Sequence, residues 1–179
     1  MIVHQTSKKL SKPIGLNQKE KIKWMTRLLT KARLVGERGE VPIAAVILDK
    51  KGRCIGYGGN RRESMKDPLG HAELVALRQA SWIKNDWRFN DCTLIVNLEP
   101  CPMCAGALIQ ARMGKIIYGS EDPKRGALGG TINLAEHKSA HHNMLIERGI
   151  MEEESRKIIV DWFKDKRLIA RESLLSKLR

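Results

Sequence analysis

His71-Ala72-Glu73-Leu74-Val75-Ala76-Leu77 and, further along, Leu98-Glu99-Pro100-Cys101-Pro102-Met103-Cys104 are the stretches that decide how this chain folds. Each opens an apolar segment of helical spacing, over 71–83 and 101–112, and between them 92–98 is a short apolar run of strand length. Helix, strand, helix is the order that returns Cys101 to the side of His71. An imidazole and two thiolates are borderline-soft donors suited to zinc, and three protein ligands leave a fourth tetrahedral position for water, which separates a catalytic site from a structural one. Glu73, two residues past His71, can stand beside such a metal without binding it and carry protons. Helix starts have unpaired N–H groups and a dipole that favour thiolates, and Pro100 suits the strand-to-helix junction. A lone Cys-x-x-Cys is often half of a zinc ribbon or a redox pair, but a ribbon needs a second pair and this sequence has none. A lone His before an apolar helix is more often a cap or a core residue. Histidine, acid, proline and cysteines in one pattern favour catalysis.

Outward from this centre the order of elements is that of an α/β fold. Residues 18–35 place Ile22, Met25, Leu28, Leu29 and Ala32 on one helical face, with Gly36 and Gly39 as stop signals. The run 41–48 is β-branched and almost continuously apolar, the pattern of a strand covered on both faces. Asp49-Lys50-Lys51-Gly52 is a turn into a second strand, 53–58. Residues 59–70 have no periodicity and lead straight to His71, as a substrate-binding loop would. A strand over 115–119, a loop-rich stretch to 142, a short strand near 143–147 and a closing helix over 152–167 complete the pattern. Alternating strands and helices imply crossovers and parallel pairing.

With 179 residues the expectation is one domain, over 16–167, between a basic N-terminal extension, 1–15, and a basic C-terminal tail, 168–179. The formal charge is +13 and the pI about 9.9, the footprint of a nucleic-acid binder. Lys8, Lys9 and Lys12 at one end and Lys164, Lys166, Arg167 and Arg171 at the other could flank a polyanion held on the body, or simply solvate two helices. Cys54 and Cys92 fall in apparent strands and read as buried reduced thiols. His137, His141 and His142 read as surface or outer-shell groups, and Trp24, Trp82, Trp87 and Trp162 as core or interface anchors. With no apolar leader and no membrane-length run, a cytoplasmic protein with no membrane association is expected.

Taken together, Asp67-Pro68-Leu69-Gly70-His71-Ala72-Glu73, Leu98-Glu99-Pro100-Cys101-Pro102-Met103-Cys104-Ala105-Gly106-Ala107 and Gly119-Ser120-Glu121-Asp122-Pro123-Lys124-Arg125-Gly126-Ala127 resemble the bacterial-type tRNA-specific adenosine deaminases of the cytidine deaminase-like superfamily. The resemblance covers about 18–167. It implies a three-layer α/β/α sandwich around a mixed sheet of about five strands, a homodimer, one Zn2+ per subunit on His71, Cys101 and Cys104, and Glu73 as the proton carrier. The implied reaction is hydrolysis of adenosine to inosine at wobble position 34 in a tRNA anticodon stem-loop, releasing ammonia. By the same resemblance Asn60 contacts the base, Val41 and Leu98 form apolar walls, Asp122 lies near the RNA backbone, and Lys124 and Arg125 meet phosphates. Glu121 and His141-His142-Asn143 depart from the usual pattern. Two other functions share parts of this evidence: a free-base or nucleoside deaminase for guanine or cytosine, which has less need of so basic a chain, and a noncatalytic RNA-binding subunit, which would have no use for Glu73.

Overall fold

Asn17 starts the first long helix with a reciprocal cap. Its Oδ1 accepts from the Glu20 N–H at 3.0 Å and its own N–H donates to Glu20 Oε2 at 2.8 Å. The computed structural model describes residues 12–177, so Lys8, Lys9 and most of the expected N-terminal extension lie outside the described residues. The order is α1 (Gln18–Glu37), β1 (Ala44–Leu48), β2 (Cys54–Gly59), α2 (Arg62–Met65), α3 (Ala72–Lys84), β3 (Thr93–Leu98), α4 (Pro102–Gln110), β4 (Lys115–Ser120), β5 (Leu145–Glu147) and α5 (Glu152–Lys177).

The five strands form one mixed sheet in the order β2-β1-β3-β4-β5. β1 is antiparallel to both β2 and β3, whereas β3, β4 and β5 run parallel. All five residues of β1 are buried, as its unbroken apolar run requires of a strand covered on both faces. Alternation then sorts side chains into two cores. Ala45, Ile47, Leu94, Val96, Ile116 and Tyr118 pack under α3 and α4. Ala44, Val46, Leu48, Ile95 and Ile117 pack under Met25, Leu28, Leu29 and Ala32 of α1, with Ile158 of α5 against the same cluster. The result is the expected three-layer α/β/α sandwich.

Small residues bring α3 down onto the edge strand. A Cβ on Gly56 would stand 2.3 Å from Ala76 O, and one on Gly58 would stand 2.0 Å from Ala72 O. Ala72, Ala76 and Ala80 complete this seam with no exposed surface. The contact fixes the helix that begins beside His71, so Gly58→Val is expected to cost about 2–3 kcal/mol by overpacking and to lower metal retention. Thermal unfolding and metal content measured together would check it.

Four features differ from the sequence reading. The aperiodic stretch 59–70 contains the short helix α2, which no apolar period could announce because none of its residues is buried. The closing helix does not stop near 167 but continues to Lys177, through the expected tail. Cys54 is exposed, because the β2 edge leaves it uncovered, whereas Cys92 is buried as expected. Trp82 and Trp87 are 87% and 51% exposed and so are not core anchors, while Trp162 is half-buried and donates from Nε1 to Gly36 O at 3.1 Å.

Candidate metal centre and substrate cleft

The C-terminal ends of β3 and β4 and the starts of α3 and α4 meet at one edge of the sheet, where open α/β folds place their ligands. His71 is the N-cap of α3 and Cys101 the N-cap of α4, each in extended backbone, and Cys104 follows in the first turn. His71 Nδ1 lies 3.6 Å from Cys101 Sγ and 3.5 Å from Cys104 Sγ. All three donor atoms are within 4.8 Å of one another. Two ligands around one tetrahedral ion, at about 2.3 Å for sulfur and about 2.1 Å for nitrogen, stand roughly 3.6 Å apart, so the donors fit such an ion as they stand.

The protonation chemistry of the trio agrees. The Cys101 thiol is lowered to about 3, chiefly by its contact with Cys104, with His71 adding to the effect. Cys104 is pushed well up, by that same contact first and then by burial. The His71 ring is raised, first by its hydrogen bond with Cys101. Such a set holds its protons jointly and gives them up to a bound dication.

Glu73 is 4% exposed and touches Cys104 without joining the group of donors. Burial pushes its carboxyl up to about 7. A carboxyl held near neutrality, against the donor trio and away from bulk water, can take up and return a proton.

Beside the trio opens a cleft of about 430 Å³, lined among others by Arg62, Pro68, His71, Cys101, Met103, Lys124, Arg125 and Ile132. Lys124 and Arg125, expected as phosphate contacts, both line this cleft. Asn60 is buried, and its Oδ1 accepts from the Ala72 N–H at 3.0 Å, which leaves its NH2 as the group with donors to offer. Asp122 is engaged within its own loop, Oδ1 accepting from the backbone N–H of Lys124 at 2.9 Å and of Arg125 at 3.1 Å. Val41 and Leu98 are half-buried and are not among the residues lining this cleft. They are tied to the same edge by Asn97 of β3, whose side chain accepts from Ala44 N at 2.8 Å and donates to Pro42 O at 3.0 Å. The three histidines stay out of the centre: His142 Nε2 bonds Met113 O at 2.8 Å, His137 bonds Ser139, and His141 is exposed. Glu121, the departure from the common pattern, pairs with Arg148 at 3.1 Å.

Sequence reading missed Glu99. It is 2% exposed and its carboxylate accepts the backbone N–H groups of Asp122 at 3.0 Å, Leu128 at 2.8 Å and Gly130 at 2.9 Å. A Cβ on Gly126 or Gly130 would fall 2.1 or 2.4 Å from that carboxylate, so both positions need glycine. The signal was an acid ending an apolar strand directly before Pro100, followed by two glycines four apart. Glu99 thus holds the loop that carries Lys124 and Arg125. Glu99→Ala is expected to lower stability by about 2–4 kcal/mol, because it strands three backbone donors at once, that of the buried Leu128 among them. Trypsin should then cut after Lys124 and Arg125 well before it cuts elsewhere in the folded protein; unchanged proteolysis would contradict this.

The profile of the MafB19-like deaminases matches residues 19–167. A tRNA-specific adenosine deaminase of Agrobacterium fabrum is 39% identical over 150 residues, 83% of this chain and 97% of that protein. The tRNA(Ile)-lysidine synthase of Deinococcus radiodurans is 47% identical over 114 residues, 63% of this chain, which spans only 20% of that longer protein. A solved structure from studies of A-to-I editing by tRNA:A34 deaminases at the wobble position superposes with a TM-score of 0.73 at 38% identity, covering 76% of this chain and 98% of that one. Matched by the profile over most of its length and by a curated relative nearly end to end, the chain belongs to the MafB19-like deaminases and, within them, to the tRNA-specific adenosine deaminase family.

Proposed function

We propose that this protein hydrolyses adenosine to inosine at position 34 of a tRNA, with release of ammonia, using Zn2+ on His71, Cys101 and Cys104. The observation that carries this reading is the pre-set donor trio beside a buried Glu73 that does not join it. When bound, zinc supplies the Lewis acidity that makes water nucleophilic at neutral pH. Glu73 accepts the proton released by that water, delivers it to N1 of the ring as C6 becomes tetrahedral, and assists departure of the amino group. The Asn60 amide meets the polar edge of the base. Lys124 and Arg125 meet the flanking phosphates, and the Asp122 carboxylate holds their backbone. An anticodon loop suits this cleft because its bases are already partly unstacked and cheaper to extrude than paired ones.

Relative rates test the substrate. Inosine formation in an A34 stem-loop should exceed deamination of free guanine or cytosine by orders of magnitude in kcat/KM; the reverse order would transfer the reading to a free-base deaminase.

The same reading includes a homodimer. Leu74 and Trp82 on α3 and Met103, Gly106 and Ala107 on α4 are left partly or wholly uncovered, and a Cβ on Gly106 would meet nothing within 4 Å. Gly106→Trp should therefore leave the fold intact and give a monomer by light scattering; a dimer of unchanged affinity would place the contact elsewhere. Among the described residues no helix is long and apolar enough to cross a membrane, which fits a cytoplasmic place of action.

A further inference from the structure

Glu40 is a second buried carboxylate for which the chemistry above gives no role. It is 4% exposed, immediately precedes Val41, and enters no ion pair among the described residues. Its partners all belong to α2: Ser64 N–H at 2.8 Å, the Ser64 hydroxyl at 2.9 Å and Glu63 N–H at 3.2 Å. Burial acts to raise this carboxyl, but the hydrogen bonds outweigh it and hold it below the ordinary carboxylate range, so it is charged where it stands. A buried charge is costly unless such bonds compensate it, and here they tie one particular turn to the end of α1.

That turn carries Arg62. Its backbone is held from several sides: Arg61 N–H donates to Gly70 O at 2.9 Å, Asp67 N–H donates to Arg62 O at 3.1 Å, and a Cβ on Gly70 would come within 3.1 Å of Arg62 N. The side chain is exposed, forms no ion pair among the described residues, and lines the cleft together with Lys124 and Arg125. Among the described residues no Asp or Glu lines that cleft. Two loops far apart in sequence, one held by Glu40 and the other by Glu99, thus bring three cations to one opening. A nucleotide drawn into a pocket leaves a phosphate on each side of it, and cations from two separate loops match that demand better than one cluster would.

We propose that Arg62 is a phosphate contact for the bound RNA, acting with Lys124 and Arg125 of the loop that Glu99 holds, and that Glu40 is the positioning residue that sets it there. The proposal rests on the RNA reading given above. The test uses the full-length, zinc-loaded protein and a fluorescent A34 anticodon stem-loop, with Kd measured across a salt series and inosine formation measured at saturating RNA. Arg62→Ala should weaken binding about 3- to 10-fold and reduce the slope of log Kd against log salt by about 1, with Arg62→Lys restoring the slope. The rate at saturation should stay within about twofold, because Arg62 holds RNA and does not touch the reacting atoms. Glu40→Gln should reproduce the binding defect, and Glu40→Gln with Arg62→Ala should be no worse than either alone. Should Glu40→Gln fail to fold, Ser64→Ala, which removes a single hydroxyl donor, should give the same defect in smaller measure. Wild-type affinity and slope in Arg62→Ala would overturn the phosphate contact, and full additivity of the two substitutions would reduce Glu40 to a stabilising residue. If the unsubstituted protein bound no stem-loop at all, the RNA reading would fall first and Arg62 with it.

Discussion

Cys104→Ser is expected to leave the protein nearly free of metal and to lower its unfolding midpoint by about 10 °C. Cys104 has no exposed surface and stands in the first turn of α4, whose buried side also carries Ala105 and Leu108. Its sulfur is the least able of the three donors to turn to solvent, since burial and the neighbouring Cys101 both oppose a free thiolate there. A bound dication removes that opposition, so metal binding and folding are coupled, and losing the ion forfeits about 4 kcal/mol or more. A serine hydroxyl is a poor replacement, being hardly ionised and a harder donor. Metal content per subunit and a thermal melt, with chelator-treated wild type alongside, check the prediction together. The chelated protein and the variant should melt at similar temperatures. A variant that kept one equivalent of metal and the wild-type midpoint would show that Cys104 is a core cysteine and nothing more.

Glu73→Gln is expected to reduce deamination about 10²- to 10⁴-fold while zinc content and stem-loop affinity stay at wild-type levels. Gln keeps the shape and burial of the side chain but can neither accept nor release a proton near neutrality. Burial has already brought this carboxyl up to about 7, where both directions of transfer are accessible. Because the group lies outside the donor trio, the metal should remain. Loss of zinc in this variant would make Glu73 a ligand or a structural support. Retained activity would remove it from the chemistry altogether.

The contrast between what was legible in the sequence and what was not follows physical lines. β1 was readable because a strand buried on both faces has to be apolar throughout, and α1 because its buried side is strictly periodic. The grouping of His71, Cys101 and Cys104 was readable because donors that could hold a metal must be of particular residue types at helix starts, and few other roles demand that combination. α2 left no trace because it buries nothing; the partners that hold it, Glu40 and Gly70, act through its backbone. Glu99 escaped for the same reason, since a side chain that serves three backbone N–H groups has no sequence-local partner. The extent of α5 was misjudged because residues 168–176 are mixed in character and exposed, so helix propensity and not a buried stripe sustains them. Trp82 shows where sequence alone stops: a large aromatic residue suits a core or an interface equally, and only its place near the end of α3, 87% exposed, removes it from the core.

The central claim is that the metal trio and Glu73 act on one adenosine in a folded RNA. Its most direct test incubates a tRNA carrying adenosine at position 34 with the zinc-loaded protein and reads reverse transcripts, in which inosine is copied as guanosine. An adenosine-to-guanosine change confined to position 34, absent from chelated protein and from Glu73→Gln, is the predicted result. An unchanged transcript with a full complement of zinc, or changes scattered over other adenosines, would contradict it.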